Sequence, residues 1–167
     1  MTIDEPSCTR VHDQLRIANI AYVQQESFDA DRVVTVCQEP VVENVNIVYE
    51  WFNLDDGESD YGGECTYRLF SQAASSLTDA LKRGEDVIIH CHRGRSRSAS
   101  VAIAALGVCE DMSWDDMYAR VEDSRPCIDP EGRLETFGRK FIRRNRDNEL
   151  WRQRMREMFE RGEENDS

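Results

Sequence analysis

Apolar residues cluster in this chain at spacings that alternate between strand and helix. The most apolar part is central. Val87–His90 (Val-Ile-Ile-His) reads as a buried strand, and the run from Ala99 to Leu106 reads as a buried helix. Upstream, Leu15–Val23 alternates in part and reads as a strand or hairpin. Val33–Cys37 (Val-Val-Thr-Val-Cys) is rich in β-branched residues and reads as a strand, and Val45–Leu54 reads as another. Thr66–Lys82 carries Leu69, Phe70, Ala73, Ala74, Leu77 and Leu81 on one helical face, with Gly84 as its stop. Downstream, Ser113 offers an N-cap and Asp116 a capping-box partner for a helix bearing Met117, Tyr118 and Val121, which ends at Arg125-Pro126. A further helix starts at Asp129-Pro130-Glu131 and places Leu134, Phe137 and Phe141 on one side, with Ile142 beside them. Strands interleaved with helices predict an α/β fold: a central, mostly parallel sheet of about four to five strands flanked by helices. The pattern divides the chain into a loose polar leader (1–12), a domain (13–145), and a C-terminal helix with an acidic tail (146–167).

Composition narrows the class. The 167 residues suffice for one core, and no stretch has the apolar length to cross a bilayer. Met1–Cys8 is acidic and has no apolar centre, so a secretory signal is not expected and a cytoplasmic protein is. Six cysteines show no Cys-x-x-Cys and no compact disulfide framework. The net charge of −12 opposes non-specific binding to nucleic acid or anionic lipid. Lysine occurs only at 82 and 140. That bias fits either an ordinary acidic protein or one from a salt-loving cytoplasm, and an unfolding midpoint indifferent to KCl would remove the second reading.

The chemistry concentrates where the central strand meets the central helix. Between them lies Cys91-His92-Arg93-Gly94-Arg95-Ser96-Arg97-Ser98. A strand that turns through a short loop into a helix aims several backbone N–H groups at one point, and the positive end of the helix dipole adds to them. Such a point holds an oxyanion and favours a thiolate over a thiol. Cys91 is therefore read as a nucleophile beneath a bound phosphate. Arg97 can grip phosphate oxygens with two prongs, which lysine cannot copy, and Gly94 supplies backbone freedom. The loop residues His92, Arg93, Gly94, Arg95, Ser96 and Arg97 form the expected substrate cradle. The histidines are too few and too scattered for a zinc site, so neither metal nor other cofactor is expected.

His90-Cys91-x5-Arg97-Ser98 resembles the signature loop of cysteine-dependent protein tyrosine phosphatases, and Ser96-Arg97-Ser98 resembles its dual-specificity branch. The early Ile17-Ala18-Asn19-Ile20, the loop Leu54-Asp55-Asp56-Gly57, and Arg125-Pro126 followed by Pro130 are similar to that family in the same order, over roughly Leu15–Ile142. The resemblance implies a phosphatase-like domain over 13–145. It also implies hydrolysis of phosphotyrosine and phosphoserine/threonine in proteins through a cysteinyl-phosphate, with a shallow pocket. It implies that the Ser98 hydroxyl helps the sulfur leave in the second step, beside its simpler role as a helix cap. An aspartate should protonate the leaving oxygen. Asp56 fits the loop order best, Asp60 fits by counting back from the helix near Thr66, and Asp55 is the third candidate. Two other functions stay open. One is a phosphatase for a non-protein polyanion: an inositol phosphate, a phospholipid headgroup or an RNA 5′ end. The other is a phosphate-binding adaptor without turnover.

The other cysteines lack this loop context, and any of them could in principle trap oxidised Cys91. The arginine-rich tail carries Trp151, Met155 and Phe159 on one stripe. It reads either as a basic amphipathic helix for an anionic partner or as a terminal helix packed on its own domain or a twin chain. The oligomeric state is not legible.

Overall fold

The helix-forming and strand-forming runs fold where their periodicity places them. The structure, a computed structural model, describes residues 5–25, 27–41, 43–57 and 63–165, excluding the side chains of 147, 149 and 163–165. The elements are β1 (Cys8–His12), β2 (Leu15–Ala18), α1 (Ile20–Val23), β3 (Arg32–Thr35), β4 (Val48–Trp51), α2 (Tyr67–Lys82), β5 (Val87–His90), α3 (Arg97–Cys109), α4 (Trp114–Ser124) and α5 (Gly132–Asn165).

The five strands form one sheet in the order β1-β2-β5-β3-β4, parallel except for the β1–β2 pair. β5 is central. Its His90 lies level with Ala18 of β2 and Thr35 of β3, so three strands end together. In an open parallel sheet the crevice beyond the carboxyl ends is where ligands bind. Val87 and Ile89 face the larger core, which α2, α3, α4 and α5 cover, whereas Ile88 joins Ala18, Ile20, Val23 and Val33 on the opposite face.

Local chemistry sets the helix ends. Thr66 and Ser113 cap α2 and α4 by accepting from the backbone N–H groups of Leu69 and Asp116. Gly84 follows α2 with a φ of +81°, which a side chain would strain. α3 runs through the middle of the helical layer with Ser98–Gly107 wholly buried. Its alanines let the neighbouring helices approach closely. At the α4–α5 contact a Cβ on Gly138 would sit 2.2 Å from the Trp114 ring, so only glycine fits there.

Three readings from the sequence change. The leader was expected to be loose, yet Cys8–His12 pairs with β2 as an edge strand. Leu15–Val23 splits, with Asn19 ending β2 and capping α1. Pro130 precedes α5 rather than lying in its first turn, and α5 continues unbroken past Asn145. Its first part packs on the domain through Leu134, Phe141 and Ile142. Farther out, Leu150, Trp151, Met158 and Phe159 are exposed, so this part of the helix does not pack on its own domain.

Candidate active site

Cys91 is the first residue after β5, and α3 begins at Arg97. The loop between them wraps the cysteine sulfur. Sγ accepts the Gly94 N–H at 3.3 Å and lies 3.2 Å from the Ser98 hydroxyl. Gly94 has a φ of +69°, and a Cβ there would come within 2.7 Å of the Ala18 carbonyl oxygen. Both facts demand glycine at this position. Ser96, at the N-cap of α3, makes no side-chain cap; its hydroxyl instead accepts the Glu131 N–H at 3.0 Å. Ser98 lies inside the first turn, at the sulfur, rather than at the cap.

Burial alone would push the Cys91 thiol up. The hydroxyl and the backbone N–H of Ser98, the Arg97 charge and the Gly94 N–H outweigh it, and the thiol is held below its ordinary value. His90 is fully buried, which pushes its imidazole down to about 4. It is therefore neutral near pH 7. Nδ1 lies 3.2 Å from the Cys91 carbonyl oxygen, which can only accept, so Nδ1 carries the proton. Nε2 then accepts from the Thr35 hydroxyl at 2.7 Å. This pins β5 to β3 directly behind Cys91.

Above the sulfur opens a cavity of about 880 Å³. Cys91, His92, Arg93, Arg95, Ser96 and Arg97 line its floor, so six of the sequence-predicted residues come together there. Gly94 and Ser98 lie buried beneath, against the sulfur. Asp56 lines the same cavity. Asp55 is nearly buried, and its Oδ1 accepts the Gly57 N–H at 3.1 Å. Asp60 lies outside the described residues. No group of three or more His, Cys, Asp or Glu side chains among the described residues is placed to hold a metal ion.

Several functional neighbours were not found from the sequence. Gln38 Oε1 accepts from Arg97 Nη1 at 2.6 Å and the Leu54 carbonyl oxygen accepts from the same nitrogen at 3.3 Å, which fixes the guanidinium at the cavity. The rule that sites lie beyond the ends of central strands would have pointed to Gln38, three residues past β3. Cys37 lines the cavity too. Glu39, Asp129 and Glu131 also line it, with Glu39 Oε1 3.7 Å from His92 Nδ1. Arg125, at the C-cap of α4, is buried and donates from Nε to the Gly94 carbonyl oxygen at 2.9 Å.

Comparison with known proteins agrees with this geometry. The profile of the family described as dual specificity phosphatase, catalytic domain, matches residues 14–137. The chain is 26% identical over 123 residues to protein 123R of Invertebrate iridescent virus 6, which carries a tyrosine phosphatase name; the match spans 73% of this chain and 82% of the viral one. It is 27% identical over 85 residues to dual specificity protein phosphatase 22 of Xenopus tropicalis, covering 48% of this chain and 41% of the frog protein. The crystal structure of human DUSP28 superposes with a TM-score of 0.67 at 18% identity, over 86% of this chain and 97% of that one, a likeness of fold. Strand order, loop and family match converge: the chain belongs to the dual-specificity phosphatase family, the cysteine-dependent protein tyrosine phosphatase class of hydrolases.

Proposed function

We propose that this domain hydrolyses phosphotyrosine and phosphoserine/threonine in proteins through a cysteinyl-phosphate intermediate. The observation that carries the reading is the Cys91 sulfur, wrapped by the Gly94 N–H and the Ser98 hydroxyl at the base of a cavity that Arg97 also lines. In this reading the Cys91 thiolate attacks phosphorus in line. The loop from His92 to Arg97 cradles the oxygens through its N–H groups, and the Arg97 guanidinium neutralises charge that builds in the transition state. Asp56 protonates the departing oxygen and then serves as base for the water that cleaves the S–P bond. The Ser98 hydroxyl stabilises the sulfur as it leaves. Asp56 is favoured over Asp55 because it lines the cavity, whereas Asp55 turns into its own loop. A reactive thiolate of this kind suits a reducing compartment such as the cytoplasm. No helix among the described residues is long and apolar enough to cross a membrane.

A second reading, a phosphatase for a non-protein polyanion, draws on Arg93 and Arg95, exposed on the cavity floor beside Arg97. The protein reading is preferred because Glu39, Asp129 and Glu131 line the same cavity and would repel the further phosphates of an inositol phosphate or an RNA end. The net charge of −12 opposes nucleic acid as well. The test is a turnover panel of phosphotyrosine peptide, phosphoserine peptide, inositol phosphates and RNA 5′ ends, with Cys91→Ser as the blank. The expected result is Cys91-dependent turnover of the peptides. Turnover confined to the polyanions would replace this reading with the second, and binding with no turnover would leave an adaptor.

A further inference from the structure

We propose that Arg125 is a positioning residue for the reactive loop, and that it works by tying that loop to the chain segment Ser7–Thr9, which lies outside the residues matched by the family profile. The inference rests on the reading of Cys91 as a thiolate nucleophile.

Arg125 is only 3% exposed. Its Nε grips the Gly94 carbonyl oxygen at 2.9 Å, while Nη1 donates to the Ser7 hydroxyl at 3.0 Å and the Thr9 hydroxyl at 2.7 Å. The planar fork thus spans two segments at once, which a lysine cannot do. The Gly94 residue that offers its carbonyl to Arg125 offers its N–H to the Cys91 sulfur. Fixing the one group therefore aims the other. A Cβ on Gly94 would approach Arg125 Nη2 within 2.7 Å, so the guanidinium lies directly against the loop backbone.

The anchoring segment is itself held. The Asn19 side chain accepts the Ser7 N–H at 2.9 Å and donates to the Glu5 carbonyl oxygen at 2.8 Å, and the Asn19 N–H donates to the Ser7 carbonyl oxygen at 3.0 Å. The next residue, Ile20, donates its N–H to the His92 carbonyl oxygen at 3.0 Å. The loop is therefore fastened at His92 and at Gly94 to one rigid corner. Segment 7–9, polar enough to look dispensable, completes that corner.

The test reads alkylation of Cys91 by iodoacetamide across pH, by peptide mass spectrometry, with melting temperature measured in parallel. Around the sulfur, Arg97 of α3, His90 of β5, Cys37 beyond β3, Asp56, and the cavity-lining side chains of His92, Arg93, Arg95, Glu39, Asp129 and Glu131 are common to parent and variants. Cys8 of β1, which feels the Arg125 charge, is common to them as well. A lost hydrogen bond to a charged group is worth roughly tenfold. Arg125→Lys should therefore slow Cys91 alkylation at neutral pH by about tenfold and move its midpoint upward. The double variant Ser7→Ala/Thr9→Val, which leaves the Gly94 contact in place, should slow it by about threefold. Ser7→Thr/Thr9→Ser, which keeps both hydroxyls, should match the parent. If Arg125→Lys does not fold, the double variant carries the test. An acidic Cys91 in the parent, with a double variant whose pH profile coincides with it, overturns the inference alone, whatever happens to the melting temperature. A parent in which Cys91 titrates as an ordinary thiol overturns the nucleophile reading and this inference together.

Discussion

β3 and β5 run side by side and each delivers a buried cysteine to the same cavity. Cys37 lies two residues past β3 and Cys91 one residue past β5, at 1% and 2% exposure. Their acidities part in opposite directions. Burial pushes the Cys37 thiol up to about 11, and its Sγ donates to the Glu39 carbonyl oxygen at 3.7 Å, a contact that favours the thiol over the thiolate. Burial acts on Cys91 as well, but Ser98, Arg97 and Gly94 overcome it. Depth in the protein is thus common to both, and the strand-to-helix loop makes the difference. The Arg97 charge acts on both sulfurs, but only at the end of β5 do the Ser98 and Gly94 donors join it and outweigh burial.

The largest expected contrast is between the two cysteines themselves. Cys91→Ser should lower kcat by at least about 10⁴-fold, whereas Cys37→Ser should change it by less than about threefold. Steady-state rates on an aryl phosphate check this, and equal losses would erase the distinction. Arg97→Lys tests the cation that helps hold the Cys91 thiol down and that, at Cys37, does not outweigh burial. It keeps the charge but loses the planar fork that Gln38 and the Leu54 carbonyl oxygen hold in place, and kcat/KM should fall by about 10²–10³-fold.

How much of this was legible in the sequence follows the same division. β5, the loop and α3 form one unbroken run, so the strand-loop-helix pattern was enough to single out Cys91, Gly94 and Arg97, whereas the part of Ser98 at the sulfur came from the family resemblance. Gln38 and Arg125 come to the site from other elements; nothing in the local sequence marks Gln38, and Arg125 was read only as a helix end within a family-like Arg125-Pro126, not as a partner of the loop. β1 was missed for a related reason. An edge strand paired on one side needs little apolar pattern, and of Cys8–His12 only Val11 is buried. The continuity of α5 escaped because its outer half is held by backbone hydrogen bonds rather than by an apolar face on the domain. The preference for Asp56 over Asp55 draws on the cavity, which periodicity does not describe, and Asp60 lies outside the described residues.

A smaller effect sharpens the acid. Asp56→Asn should cut turnover of poor leaving groups by about 10²-fold and spare activated aryl phosphates, while Asp55→Asn should show no dependence on the leaving group. The smallest effect concerns the pin between the two strand ends. His90 binds a proton near pH 6.5 in the unfolded chain but only near about 4 when folded. Lowering pH through that window therefore favours unfolding, with about 2–4 kcal/mol of stability lost across it. Denaturant melts from pH 7 to pH 4 should show this loss, and His90→Asn should flatten it.

The most direct measurement is a rapid acid quench during turnover, followed by peptide mapping of the phosphoryl group. The account predicts phosphate on the sulfur of Cys91, absent from Cys37 and from Cys91→Ser, and longer-lived when Ser98 is replaced by Ala. Full turnover with no phosphoryl-cysteine at Cys91, or phosphate on another residue, would contradict it.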